Sequence, residues 1–280
     1  MENYIKHTLT NKQAVSIIKE HIDSNKPMFL IRLGDGELNM LKPDKKQNKQ
    51  FISKLLQRMG TWPDSQSEKK KYLDIYINMM VEAIKSADIV GIGTEYITSE
   101  RHGISASVDN WNITNSDIQE HGIFLENKHI CDHRLHLSDD FGNVNNLKKI
   151  LNGRPIHIIG HYVDYLQENK LHELLECPIS YTVSPEMYYK NRKSVEGNLP
   201  NIKEQIILIG SGGVGKTVGK ILKEKYGKIV IDVGSLLDAW AGVYTRPWFG
   251  KLKEDGTLIK GPNSGVVFTN KINKNRLLEK

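Results

Sequence analysis

Short apolar runs, each closed by glycine or a polar turn and separated by stretches of helical periodicity, constrain this chain most. Met28-Phe29-Leu30-Ile31 is the first; Ile89 to Ile92, Pro155 to Ile159, Ile179 to Val183, Gln205 to Ile209 and Lys228 to Val233 follow. Runs this short and this rich in branched residues suit strands buried on both faces. Ahead of the first, Thr10-x-x-Gln13 has the form of a capping box, and Ala14, Ile17, Ile18 and Ile22 recur after it at helical spacing. Phe51, Leu55, Leu56 and Met59 repeat the pattern before Gly60, and Tyr72, Ile75, Tyr76, Met79, Met80, Ala83 and Ile84 form a longer stripe expected to face the core. Val218 to Tyr226 reads as a further helix. Strands alternating with helices predict an α/β fold with a mainly parallel, twisted sheet flanked by helices. No linker forces a boundary, so 1–280 is read as one domain, with 94–150 as a less regular insertion and 262–280 as a basic tail.

In such a sheet, ligands bind in the crevice beyond the carboxyl ends of the strands. The turns that follow the runs therefore carry the functional reading: Gly34-Asp35-Gly36-Glu37, Gly93-Thr94-Glu95, Gly160-His161, Gly210-Ser211-Gly212-Gly213 and Gly234-Ser235. Asp35 and Glu37 are two carboxylates in a glycine-flanked turn directly after a strand. An Asp-x-Glu pair of that kind can hold a hard divalent cation, Mg²⁺ or Mn²⁺, which prefers oxygen ligands and keeps positions open for substrate phosphates. Gly-Asp-Gly is also ordinary turn chemistry.

Gly210 to Thr217 matches the phosphate-binding P-loop pattern residue for residue, between a strand and a helix. The same stretch holds Gly210-x-Gly212-x-x-Gly215, the dinucleotide fingerprint, with Asp232 standing where a ribose-binding acid would lie. Two uses follow: a P-loop nucleotide hydrolase with Lys216 on the phosphates, or an NAD-type dinucleotide site. Little chain follows for either complete domain. Common to both is a glycine-rich backbone at a helix N-terminus that can face an anion, through Gly210, Ser211, Gly212, Gly213, Gly215 and Lys216. A plain tight strand-to-helix turn explains the same residues.

His129-x-Cys131-x-His133-x-x-His136 carries zinc-type ligands without a second cluster to complete a framework, so a strand end with histidines in local hydrogen bonds is the favoured reading. Glu95, Asp109 and Trp111 lie in a polar, aromatic stretch where a general base or a sugar-stacking platform could sit. Tyr188, Tyr189 and Arg192 fall on an expected helix that could face the same cleft.

Composition narrows the classes. No run approaches a membrane span, the polar start is no secretory signal, and two cysteines, Cys131 and Cys177, build no disulfide framework; a soluble protein of a reducing compartment is expected. The net charge of +6 is dispersed, densest at Lys42 to Lys49, Lys69 to Lys71 and the C-terminal tail. Solvated faces account for it first, attraction to an anionic membrane surface second; nucleic acid is not expected as a partner.

Ile31-Arg-Leu-Gly-Asp-Gly-Glu37, together with Ile209-Gly-Ser-Gly-Gly-Val-Gly-Lys216 and Ile231-Asp-Val-Gly-Ser-Leu-Leu-Asp-Ala-Trp-Ala-Gly242, resembles the bacterial GT-D-type glycosyltransferases, formerly a domain of unknown function. The resemblance implies a Rossmann-like fold, a nucleotide-sugar donor, with a UDP-sugar expected, and a metal held by Asp35 and Glu37. Arg32 would contact a phosphate or orient a carboxylate; Gly34, Gly36, Asp232 and Ser235 complete the expected donor site. Glu95, Asp109 and Asp238 are the candidates for a base. Some members carry histidine where this chain has Ser235, so no role of that histidine transfers. The resulting expectation is a hexosyl-type transferase acting on a glycan, glycoprotein or lipid-linked acceptor in bacterial surface-polysaccharide synthesis, cytoplasmic or peripheral at the inner face of the membrane.

Overall fold

The computed structural model describes residues 8–42, 66–92, 115–138, 140–184, 188–241 and 243. Seven strands form one sheet: β1 Met28–Arg32, β2 Ile89–Ile92, β3 His129–Asp132, β4 Ile156–Gly160, β5 Ile179–Val183, β6 Ile206–Gly210 and β7 Ile229–Asp232. Their order is β3-β2-β1-β7-β6-β4-β5, with every pair parallel. The helices among the described residues are α1 Asn11–Ser24, α2 Asp35–Met40, α3 Gln66–Ser86, α4 Asn115–Gln119, α5 Val144–Leu151, α6 Val163–Glu168, α7 Leu171–Leu175, α8 Tyr188–Asn198, α9 Gly212–Tyr226 and α10 Leu236–Trp240.

Helices cover both faces, and the central strands are accordingly buried along their length, with Arg32 at the end of β1 half-buried. Met28 and Leu30 of β1 pack with the cluster under α1, α5 and α10, whereas Phe29 and Ile31 face the cluster under α3 and α9. The connections sort by direction. Those from β1 to β2 and from β6 to β7 run toward the β3 edge and place α3 and α9 on one face; those from β3 to β4 and from β4 to β5 run the other way and place α5, α6 and α7 on the opposite face. That segregation is what crossovers of a single hand produce. Among the described residues β5 ends the sheet, and Val183 is correspondingly exposed.

The α/β reading and the strand positions hold to within a residue or two. Three local differences have physical causes. Helix α9 begins at Gly212, ahead of the expected Val218, because its first turns are buried by close packing where the glycines and Lys216 look like loop. Ile75 is exposed although it shares the stripe of buried Tyr76, Met80, Ala83 and Ile84, since α3 presents a narrower face to its neighbours. The span expected to be irregular supplies β3, an edge strand paired with β2. The expected helix over Phe51 to Met59 lies outside the described residues. No helix of the described residues is long and apolar enough to cross a membrane.

Both cysteines are free and buried, and burial pushes the Cys131 thiol up to about 12 and the Cys177 thiol up to about 11. Thiolate is the reactive form. Neither should react with a thiol-specific chromogenic reagent at neutral pH until denaturant is added, and two equivalents should then appear; prompt native-state labelling would show that these sites open.

Candidate active site

Strand β1 ends in Arg32, and the chain turns through Leu33 and Gly34 into α2. Gly34 caps this helix, and its amide donates to Glu37 Oε2 at 2.9 Å. Glu37 thus reaches back to the cap from the third helical position, one half of a capping box. Its other oxygen, Oε1, lies 2.9 Å from Lys216 Nζ. Asp35 opens α2, with Gly36 between the two acids.

Lys216 sits on the second turn of α9 and is only 4% exposed. Besides Glu37 it meets Asp232 Oδ2 at 3.1 Å. Asp232 ends β7 and is itself tied down: Oδ2 accepts the Arg32 amide at 3.2 Å and Oδ1 the Gly234 amide at 3.0 Å. Burial works to raise the Glu37 carboxyl, but the adjacent ammonium more than offsets it and holds the acid below its ordinary value. For Lys216 burial favours the neutral amine, and the charges of Asp232 and Glu37 overcome that and push it up. Glu37 and Lys216 therefore stand as an ion pair. The residue read as a phosphate-binding lysine is the buried counter-ion of two carboxylates.

The glycine fingerprint has a packing explanation at most of its positions. A Cβ on Gly213 would fall 1.1 Å from the buried Tyr76 hydroxyl of α3, one on Gly219 2.6 Å from the Phe29 ring, and one on Gly210 2.5 Å from the Gly234 carbonyl. Gly215 lies against Ile209 and Ser211. Gly213 and Gly219 let α9 press onto α3 and β1. Gly212 differs: it takes φ of +52° and has open space around it. Ser211 is buried and directs its hydroxyl at the Ile159 carbonyl.

Arg32 links this cluster to the far edge of the sheet. In register it lies beside Gly91 of β2, and Gly91 lies beside Cys131 of β3. Its side chain crosses over Gly91, whose missing Cβ would sit 3.3 Å from Arg32 Cγ, and Nε donates to the His133 carbonyl at 2.8 Å. The guanidinium also packs on Gly234, where a Cβ would come within 2.4 Å of Nη1 and φ is +48°. Sequence reading placed Arg32 in the site but not its route, which is visible only once β1, β2 and β3 are aligned.

At the end of β3, Asp132 pairs with His133 Nδ1 at 3.3 Å and with Arg134 Nη2 at 3.1 Å, and accepts the Arg134 amide at 2.7 Å. Burial raises the Asp132 carboxyl, and these partners more than reverse it, holding it far below the usual carboxylate range. His136 Nδ1 donates to the His133 carbonyl at 3.2 Å; burial first, then the positive charges of Arg32 and His133, keep it neutral. His129 begins β3 at the opposite, amino end of the sheet, so the spacing that resembled zinc ligands is divided between two edges. Asp132, His133 and Arg134 are not among the expected donor-site residues; the stretch reads in sequence as a strand end with histidines in local hydrogen bonds, which is how it is built, and nothing in the local sequence ties it to the β1 turn.

The remaining candidates separate. Asp238 lies on α10, buried beside Trp240, and Ser235 caps that helix. Glu95, Asp109 and Trp111 lie outside the described residues, as does the side chain of Asp35; Tyr188, Tyr189 and Arg192 fall on α8, with their side chains outside. Strands β1, β7 and β3 thus bring Arg32, Glu37, Lys216, Asp232, Asp132 and His133 to one carboxyl edge.

The model of the GT-D-like family, described as a GT-D fold-like domain, matches residues 9–240. Among solved structures, the chain is similar to the highly conserved domain of unknown function 1792 with a distinct glycosyltransferase fold, at 12% identity and TM-score 0.52, over 96% of this chain and 92% of that one. It is likewise similar to a glycosyltransferase (DUF1792) from Streptococcus sanguinis, at 12% identity and TM-score 0.51, over 92% and 91% of the two chains. No curated protein sequence matches. These two structures share the fold, while the family match spans the strands and turns that build the site from Arg32 to Asp238: the chain belongs to the GT-D-like family of glycosyltransferases.

Proposed function

We propose that the protein is a metal-dependent glycosyltransferase that moves a sugar from a nucleoside-diphosphate sugar, a UDP-sugar first, to a glycan, glycoprotein or lipid-linked acceptor of the bacterial surface. The observation that supports this best is the ionised Glu37, pinned at the carboxyl edge of β1 by Lys216 and the Gly34 amide, with the N-terminus of α9 close by.

Glu37 fits a hard cation in its chemistry. It is charged, and a carboxylate offers about four lone-pair sites, more than Lys216 and the Gly34 and Glu37 amides use, so one is left for Mn²⁺ or Mg²⁺. Asp35, two residues earlier on the same turn, would be its companion ligand. The cation, when bound, offsets the negative charge that grows on the leaving diphosphate. The protein's own part is to keep Glu37 ionised and oriented through Lys216, to fix the end of β1 through Arg32 and Asp232, and to offer the free space and amides around Gly212 to an anionic donor group. Of the two other uses of the glycine-rich segment, the P-loop one gains no support from a lysine already spent on two carboxylates.

A thermal-shift screen of UDP-, GDP- and CMP-sugars, ATP, GTP and NAD, each with and without Mn²⁺, tests the donor class, because a ligand that prefers the folded state raises its unfolding temperature. The expected result is a Mn²⁺-dependent shift with UDP-sugars. Asp35→Ala and Glu37→Ala should remove that shift and lower donor turnover at least about 100-fold. Unchanged Mn²⁺-dependent turnover in both would rule out the metal role, and a metal-independent NAD shift would favour the dinucleotide use instead.

A further inference from the structure

We propose that the cavity at the amino edge of the sheet, between α1 and the start of β3, is a second saccharide site, which holds a neutral oligosaccharide segment of the acceptor remote from the end that receives the sugar. The site itself goes beyond the glycosyl-transfer reading; only the identity of its ligand as the acceptor rests on that reading.

The cavity measures about 640 Å³, within the range of small-ligand sites, and lies at the edge of the sheet opposite Glu37 and Lys216. Separate elements converge on it. Gln13 and His21 come from α1, Glu126 and Asn127 from the 3-10 turn Leu125–Asn127, and His129 opens β3. Of these Gln13, Glu126, Asn127 and His129 are exposed. The walls are tied to one another. The Leu9 amide donates to the Ile130 carbonyl at 2.6 Å and joins the start of α1 to β3, while Lys128 Nζ donates to the Ala87 carbonyl at 2.7 Å and joins β3 to the turn before β2.

Charge selects the class of ligand. Asp88, also on the wall, accepts the Phe29 amide at 2.8 Å and pairs with Lys223 at 2.8 Å. Lys128 donates to the Lys85 and Ala87 carbonyls, and burial first, then the nearby Lys223 charge, lower it from its ordinary value. A phosphate here would therefore meet the Glu126 carboxylate and an ammonium already held by two carbonyls. A metal ion lacks ligands: among the described residues no three His, Cys, Asp or Glu side chains are grouped to hold one. An apolar ligand would leave the polar wall unpaired. Two amides, two imidazoles and one carboxylate make a mixed set of donors and acceptors, and Leu9 adds an apolar surface beside them. A sugar matches both parts, with hydroxyls that donate and accept and a C–H face that covers the leucine.

Strand β3 leads from His129 at the cavity to Asp132 at the carboxyl edge, three steps of about 3.3 Å, or about 10 Å in all. A chain of a few sugars covers that span. Two weak contacts on one chain then reinforce each other, because the second binds at the effective concentration set by the first. The site at the amino edge thus retains the acceptor between transfers.

The test uses the full chain, with the linear tetrasaccharides of glucose, galactose and N-acetylglucosamine as probes and binding followed by saturation-transfer NMR. At least one should bind with a Kd of about 1 mM or tighter, without Mn²⁺ or UDP. Glu126→Ala with Asn127→Ala, both at exposed positions, should weaken that binding at least tenfold and leave UDP-sugar hydrolysis within about twofold of wild type. Glu37→Gln should leave saccharide binding unchanged. Asn127→Trp, which places a large ring at the cavity wall, is the second variant and should abolish binding. Failure of all probes to bind at about 10 mM overturns the proposal. So does binding that both the double variant and Asn127→Trp leave intact, or inorganic phosphate that displaces the saccharide. If wild type turns over a UDP-sugar but binds no probe, the second site fails alone; if it binds a probe through Glu126 and Asn127 yet turns over no UDP-sugar, the donor reading fails and the second site stands.

Discussion

Replacing Lys216 by methionine is expected to destabilise the fold by about 3–5 kcal/mol, the usual consequence of removing one partner from a buried ion cluster. The lysine is nearly inaccessible and lies within 3.1 Å of two carboxylates. Without it Glu37 and Asp232 confront one another as two buried carboxylates that keep their backbone-amide hydrogen bonds but lose the cation between them. Methionine keeps most of the stem's packing, so the loss reports the charge rather than a cavity. Lys216→Arg preserves the charge and should lose less. Glu37→Gln combined with Lys216→Met should lose less than the sum of the single changes, because the second substitution removes a carboxylate the first has stranded. Denaturant unfolding with midpoint and slope compared across wild type, the three single variants and the double variant measures this. A Lys216→Met protein within about 0.5 kcal/mol of wild type would show that the cluster is not formed in solution.

The second large effect lies at Gly213. An alanine there would put its methyl carbon 1.1 Å from the Tyr76 hydroxyl and 2.3 Å from Cζ. Tyr76 is 1% exposed and locked in the core under α3 and α9, so its ring cannot swing aside freely. Either α9 lifts from α3 or the ring leaves its rotamer, and overpacking of this kind costs about 1–3 kcal/mol. Tyr76→Ala alone should cost about 3–5 kcal/mol through the cavity it leaves. In the double variant the new methyl group enters the vacated space, so the combined loss should fall short of the sum. Strict additivity would mean that Gly213 and Tyr76 do not touch, and the glycine would then regain its reading as a phosphate-facing position.

The two predictions share a lesson about the glycine-rich segment. Read in sequence, Gly210 to Thr217 satisfies two nucleotide-binding patterns, and both assume that glycines exist for phosphate and that Lys216 projects toward it. Tyr76, Phe29 and the Gly234 carbonyl occupy the space next to Gly213, Gly219 and Gly210, and Glu37 and Asp232 occupy the lysine. Of those partners Tyr76, Phe29 and Glu37 come from more than a hundred residues away in sequence. A motif fixes the local path of the chain; which neighbours fill the space it leaves is decided by residues that arrive from elsewhere.

By itself the sequence determined the alternating α/β architecture, because apolar runs of strand length and helical stripes are local periodicities that report burial on one or both faces. It also determined that the turns after those runs would carry the chemistry, Arg32 to Glu37 first. Tertiary structure alone decided the strand order β3-β2-β1-β7-β6-β4-β5, and with it which turns meet. Placing β7 beside β1 brings Asp232 to the Arg32 amide across 200 residues, and placing β3 two strands away lets Arg32 reach His133 over Gly91. Electrostatic pairing and hydrogen bonding act over a few ångströms of space and are blind to separation along the chain, so the charges of the site could be named from the sequence while their partners could not.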